Sequence, residues 1–166
     1  MSLILNQVTF QKSLASLPLV SYQAGETVIA DGSRTGRLLI LSKGTVAIVK
    51  EGTEIAKVAE PGAVFGELSA LLDQPHAADV RATEASEFHV ADASTLLTQN
   101  PVAVLYVATM LAHRLNGANH ALIQLKHQLL TGEPPNVVAK TVSKMEGFLI
   151  ASASLMYAGY PNDPYA

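Results

Sequence analysis

Two hydrophobic periods meet near Pro101. Before it, short β-prone runs follow glycine turns: TVIA after Gly25, RLLILS after Gly36, TVAIVK after Gly44 and TEIAKVA after Gly52. AVF follows Gly62, Ala77–Ala82 reads as a further strand, and EFHVA begins at Glu87. Strand-length runs with turn residues between them, recurring every ~8–12 positions, predict an all-β sandwich or barrel. The runs between the glycines differ from one another, so this is no tandem repeat. Ahead of them, residues 3–17 predict a short helix before Pro18.

From Pro101 the period lengthens. Val104, Ala108, Leu111, Leu115, Ala118, Leu122, Leu125 and Leu129 are spaced alternately four and three apart. That is a heptad seam of about three and a half heptads. Asn100-Pro101 marks its start, since proline suits the first helical turn. Thr131-Gly132-Glu133-Pro134-Pro135 ends it. A second helical pattern runs through Val138, Val142, Met145, Leu149, Ser152 and Met156. Gly147 weakens it by about 1 kcal/mol relative to alanine. The closing YPNDPYA predicts a tail held at most by its tyrosines. The plan is a helical segment (1–18), a β domain (19–100), a long helix (101–130), and an additional helix with a tail (131–166).

Composition narrows the class. The 166 residues are 49% hydrophobic and 15% charged, which fits one globular domain with a core. Eleven basic against fourteen acidic residues give −3, with no basic block. Nucleic-acid surfaces cluster Lys and Arg, so no DNA partner is expected. The absence of cysteine excludes disulfides and thiolate metal sites, and fits a reducing compartment. No basic region precedes Leu3-Ile4-Leu5, so no signal peptide is expected. No run reaches the ~18 apolar residues of a membrane span. A cytoplasmic protein without a membrane partner is the expectation.

The candidate chemistry lies in FGELSALLDQPHAADVRA, Phe65–Ala82. Gly66 frees a turn, Leu68–Leu72 could form a short helix, and Asp73-Gln74-Pro75 end it before the strand. Backbone N–H groups at a helix start attract anions. On the residues alone, Gly66 and Glu67 could equally be a turn and an acid suited to a helix start. His76 could be a surface turn residue, and Arg114 an ion-paired helix residue.

The ordered set YQAGETVIADG, LLILSKGTVAIV, PGAVFGELSALLDQPHAADVRA, Phe88-His89-Val90 and LAHRLNGAN resembles the cyclic nucleotide-binding domain family. That family includes catabolite activator proteins, cyclic-nucleotide-dependent kinases and gated channels, and the resemblance spans about Leu19 to Asn119. It implies a mainly β fold: a β-roll or jelly-roll followed by a long C-helix, here with an extra C-terminal helix. It makes Phe65-Gly66-Glu67 the start of a phosphate-binding cassette. Glu67 would accept from the ribose 2′-hydroxyl. Backbone N–H groups from Gly66 through Leu68 to Ser69, and of Ala77, would line the sugar-phosphate. His76 stands where the family has an arginine on the cyclic phosphate. Ala77 leans to cyclic AMP over cyclic GMP. Arg114 and Asn119 match positions that meet Glu67 or the purine edge. Asp79 replaces a usual threonine, and strand alternation puts Arg81 on the opposite face from His76.

The expected function is a non-enzymatic sensor module that binds a cyclic nucleotide such as cAMP weakly and signals through its long helix. It would act as a homodimer through residues 101–129, with an unidentified protein as a further partner. The alternative is a degenerate cyclic nucleotide-binding domain kept for dimerisation or protein interaction, which His76 and Asp79 favour. No cofactor or metal is expected. A cupin metal enzyme needs several inward His and carboxylate ligands, and only His76 and His89 fall among the strands. His113, His120 and His127 recur every seven residues at a heptad position that is normally solvated. Asp92 and Ser94 near His89 lack a nucleophile-elbow context. A helix-turn-helix is not expected either: roughly 35 residues follow Leu129, with Lys140 and Lys144 the basic residues of the one helix there.

Overall fold

The computed structural model describes residues 7–150. Residues 3–6, Ser152, Met156 and the YPNDPYA segment lie outside them. The glycine-bounded runs build eight strands: β1 (Leu19–Tyr22), β2 (Thr27–Ile29), β3 (Arg37–Lys43), β4 (Val46–Lys50), β5 (Thr53–Val58), β6 (Val64–Phe65), β7 (Asp79–Ala82) and β8 (Ser86–Asp92). They form two four-stranded antiparallel sheets, ordered β1-β8-β3-β6 and β2-β7-β4-β5. This is the β-roll. Around it lie α1 (Gln7–Leu14), α2 (Glu67–Leu72), α3 (Ala93–Gln99), α4 (Pro101–Thr131) and α5 (Pro135–Ile150). Among the described residues no single helix is long and apolar enough to cross a membrane.

Strand β3 shows why the apolar runs are nearly continuous. Successive side chains of a strand point to opposite faces. Leu39 and Leu41 enter the core between the sheets with Val46, Ile48, Phe65 and Phe88. Leu38 and Ile40 face the other way, against Phe10, Leu14, Tyr106, Val107 and Met110 of α1 and α4. Each buried aliphatic side chain contributes about 1.5–3 kcal/mol. Phe10 and Tyr106 stack at 3.8 Å, and the Tyr106 hydroxyl donates to the Gly62 carbonyl at 3.1 Å. The first half of α4 is thereby fixed to the back of one sheet.

The ends of α4 follow the sequence signals. The Asn100 side chain accepts from the Ala103 N–H, Pro101 occupies the first turn, and Gly132 closes the helix in the left-handed conformation. Beyond Gly132 the chain turns and α5 packs on the second half of α4, where Ala118, Ala121 and Phe148 are buried with Met145 against them. The face that α4 buries is therefore Ala103, Tyr106, Val107, Met110, Arg114, Gly117, Ala118, Ala121 and Gln128. Of the heptad seam, Ala118 is buried and Leu111 and Leu125 are half-buried, whereas Val104, Ala108, Leu115, Leu122 and Leu129 are exposed.

Two elements were not singled out by pattern. Strand β1 is too short to show a period, and α3 is a two-turn helix started by the Asp92 carboxylate accepting from the Thr95 N–H at 2.8 Å. Strand β7 begins at Asp79, two residues later than the run suggested. The backbone at His76 is instead bonded to the turn after β2: its N–H donates to the Ser33 carbonyl and its carbonyl accepts from the Gly32 N–H, both at 2.8 Å.

The turn between β3 and β4 supplies a stability test. Gly44 has φ +99, and a Cβ there would lie 2.3 Å from Ser86 Oγ and 2.6 Å from Ser86 Cα. Gly52, φ +77, has nothing within 4 Å. Gly52→Ala should cost only the left-handed backbone term of about 1–2 kcal/mol. Gly44→Ala should add about 1–3 kcal/mol of overpacking. Urea denaturation of the two variants is the check; equal losses would contradict the packing read at Gly44.

Candidate ligand-binding site

The site begins where β6 enters α2. Gly66 has φ 90 and ψ 0, and a Cβ there would lie 2.5 Å from the Arg37 carbonyl oxygen and 3.4 Å from His76 Cε1. Only glycine allows both this backbone conformation and this approach. The short α2 ends at Asp73, whose backbone N–H donates to the Ser69 carbonyl, and Ser69 Oγ donates to the Gln74 carbonyl. These bonds return the chain toward β7 and bring Gln74, Pro75 and His76 back beside Gly66.

The result is a cleft of about 150 Å³. Phe65, Gly66, Glu67, Leu68 and Ser69 form one side, and His76 and Ala77 form the other. Ile29, Ile48 and Val80 supply an apolar floor. Apolar walls with a few placed polar groups are the usual make-up of a small-molecule site.

Glu67 is 4% exposed. Its Oε1 accepts from Arg114 Nη1 at 2.5 Å, across from α4. Arg114 is itself buried, and its Nε donates to the Phe148 carbonyl of α5 at 3.0 Å. Burial pushes the Glu67 carboxyl above its ordinary value, opposed by the charge of Arg114 and by hydrogen bonds from its own N–H and from Arg114. A carboxylate offers about four lone-pair positions, so Glu67 can accept further hydroxyl donors while Arg114 holds Oε1.

His76 is 7% exposed, and its Nε2 lies 3.0 Å from Thr35 Oγ1. Burial holds its pKa below the ordinary histidine value. The imidazole is therefore neutral near pH 7 and offers a hydrogen bond without a charge. Arginine at this position would keep its charge and a two-pronged grip at any physiological pH.

Seven of the nine residues singled out from sequence line this cleft together: Phe65, Gly66, Glu67, Leu68, Ser69, His76 and Ala77. Arg114 stands behind Glu67. Asn119 is exposed on α4 and does not line the cleft. Asp79 and Arg81 pair with each other at 2.7 Å, and Asp79 Oδ1 accepts from the Asp31 N–H at 2.7 Å. The Asp31 N–H first, and then Arg81, hold the Asp79 carboxyl below the usual range. Asp79 thus braces the turn after β2. His113, His120 and His127 are exposed. Among the described residues no group of three His, Cys, Asp or Glu is placed to hold a metal. Sequence reasoning missed Thr35, which meets His76 from 41 residues away, and the Phe148 carbonyl, which no side-chain pattern can announce.

Comparison with known proteins accords with this geometry. A family model for the cyclic nucleotide-binding domain matches residues 19–99. A crystal structure of a cyclic nucleotide-binding domain from Methylobacillus flagellatus is similar with a TM-score of 0.56 and 23% identity, over 66% of this chain and 67% of that one. A structure of PKAR CBD2 bound to Sp-2Cl-cAMPS has a TM-score of 0.50 and 20% identity, over 74% of this chain and 76% of that one. An uncharacterised ABC transporter ATP-binding protein of Mycobacterium tuberculosis is 39% identical over 67 residues. That stretch is 38% of this chain and only 20% of the relative's own length. The β-roll of this chain is thus the part that matches known proteins, and residues 19–99 form a cyclic nucleotide-binding domain by their match to that family's model.

Proposed function

We propose that this chain is a regulatory module that binds a cyclic nucleotide, with cAMP preferred through Ala77, and reports it through α4. The observation that carries this reading is Glu67: a buried carboxylate on the wall of an apolar cleft, backed by an arginine from the long helix. A ribose hydroxyl can donate to its remaining lone pairs. Backbone N–H groups around Gly66 and Ala77, with His76, then face the sugar-phosphate. A ligand shifts α4 only by binding one of its arrangements better than another, and Arg114 gives Glu67 a direct hold on α4. The segment matched in the ABC transporter ATP-binding protein is a small part of a larger chain, which supports the reading of a module that reports to a larger partner. Nothing in this reading calls for catalysis, a cofactor, a metal or contact with DNA.

Binding is weak in this reading because His76 replaces a permanent charge. Losing a charged hydrogen bond costs about 1.5–3 kcal/mol, on the order of 10- to 150-fold in affinity. A second reading, a degenerate domain kept for dimerisation or protein contact, is favoured by His76 already meeting Thr35.

The pH dependence separates these. Free His76 has its pKa held below the ordinary ~6.5 by burial, and a bound anion raises it. The complex takes up a proton. Affinity therefore rises as pH falls through the value in the complex, and levels off below the value in the free protein. Isothermal titration with cAMP should show weak binding at pH 8 and tighter binding at pH 6. His76→Arg should gain about 1.5–3 kcal/mol at pH 8 and less at pH 6. Equal affinities at both pH values, with no gain from arginine, would remove His76 as the phosphate contact. Binding by neither protein would leave the degenerate reading.

The module is also read as a homodimer through α4. Val104, Leu115, Leu122 and Leu129 of the heptad seam remain 42%, 61%, 53% and 63% exposed in the single chain. A row of this kind suits a matching helix. Leu115→Lys together with Leu122→Lys should yield monomers at unchanged helix content, read by sedimentation and circular dichroism. Wild-type protein sedimenting as a monomer at high micromolar concentration would refute the dimer.

A further inference from the structure

Arg114 ties the binding cleft to a helix that does not line it. Its Nη1 meets Glu67 and its Nε donates to the carbonyl of Phe148 in α5. The guanidinium is planar and rigid, so its hold on one partner constrains its aim at the other.

The contact between α5 and α4 is extensive, and α5 also meets β5. Phe148 sits against Gly117, Ala118 and Ala121, with Met145 beside them. Further along, Gln128 is buried, and its Oε1 has no hydrogen-bond partner among the described residues. To this packing Arg114 adds a tie that reaches the cleft.

We propose that α5 is the positioning element of the Glu67 site: docked, it aims Arg114 at Glu67, and a ligand whose hydroxyls bind Glu67 holds α5 more tightly in return. The second half follows from the first, because coupling between two binding events is reciprocal. Hydroxyl donors on Glu67 keep its carboxylate ionised and in place, which keeps Arg114 aligned with the Phe148 carbonyl. The ligand part rests on the cyclic-nucleotide reading above; the part that links Glu67 to α5 does not.

Hydrogen exchange on the full chain, read by mass spectrometry, tests both parts. The first variant is Gly117→Ala, whose Cβ would lie 2.2 Å from the Phe148 ring. Alanine favours a helix over glycine, so α4 itself is spared. Peptides spanning 138–148 should exchange faster while β3 and β8 keep their protection, and cAMP should bind at least about fivefold more weakly. In the wild type, cAMP should slow exchange of the same α5 peptides. Loosened α5 with unchanged cAMP affinity, or cAMP binding without effect on α5, overturns the proposal.

If the wild type binds no cAMP, the functional reading fails and the link is judged without ligand. Glu67→Gln should then speed exchange in α5 and leave β3 and β8 as they were. If that variant loses protection in the sheets, Arg114→Lys takes its place, because lysine keeps the charge beside Glu67 but has no fork to hold both partners. Wild-type protection of α5 in the variant so used overturns the proposal.

Discussion

A carboxylate and a guanidinium buried together join the cleft of this protein to its long helix. Glu67 and Arg114 have side chains only 6% and 7% exposed. Taking two such charges out of water costs several kcal/mol each, and their attraction offsets this only when the geometry is good and the remaining donors are satisfied. Here Arg114 gives one donor to Glu67 and another to the Phe148 carbonyl, and the Glu67 carboxylate also accepts from its own N–H. Removing Arg114 would leave the Glu67 carboxylate buried without its opposite charge, at about 3–5 kcal/mol. The pair is thus a constraint that the neighbouring elements must respect.

Each partner is placed by different physics. Glu67 is set by the backbone: the left-handed Gly66 and its approach to the Arg37 carbonyl put the first residue of α2 at the cleft wall. Arg114 is set by packing: Tyr106, Val107 and Met110, one to two turns earlier, bind α4 to the back of β3. Strand β3 serves both, with Leu39 and Leu41 in the core beneath the cleft and Leu38 and Ile40 beneath the helix. Beyond Arg114, α4 leaves the β-roll and divides its surface between α5 and an open row of leucines. The same helix therefore meets the cleft wall at one point and presents apolar surface at others.

Much of this was legible in the sequence. Turn glycines and β-branched runs marked most strands, and Asn100-Pro101 and Thr131-Gly132 bounded α4, because caps and turns are local signals. Residues of the Phe65–Ala77 stretch line one cleft, and they could be grouped from the sequence because they are near each other in it. Longer-range features were less so. The heptad spacing marked an apolar row on α4 but not that the helix has a second buried face through Met110, Arg114 and Ala121. Only the structure shows Phe148 seated against Gly117. Thr35 and the Phe148 carbonyl reach their partners across 41 and 34 residues, and no period or motif encodes such contacts.

The claim that the cleft speaks to the helices through one guanidinium can be tested at that group. The Nε–H of Arg114 gives its own nitrogen–proton resonance, assignable by comparison with Arg114→Lys. Bonded to the Phe148 carbonyl and buried, it should exchange slowly with water, and addition of cAMP should shift it and slow its exchange further. A resonance that exchanges as fast as that of an exposed arginine, and stays unmoved when cAMP is bound, would contradict the account.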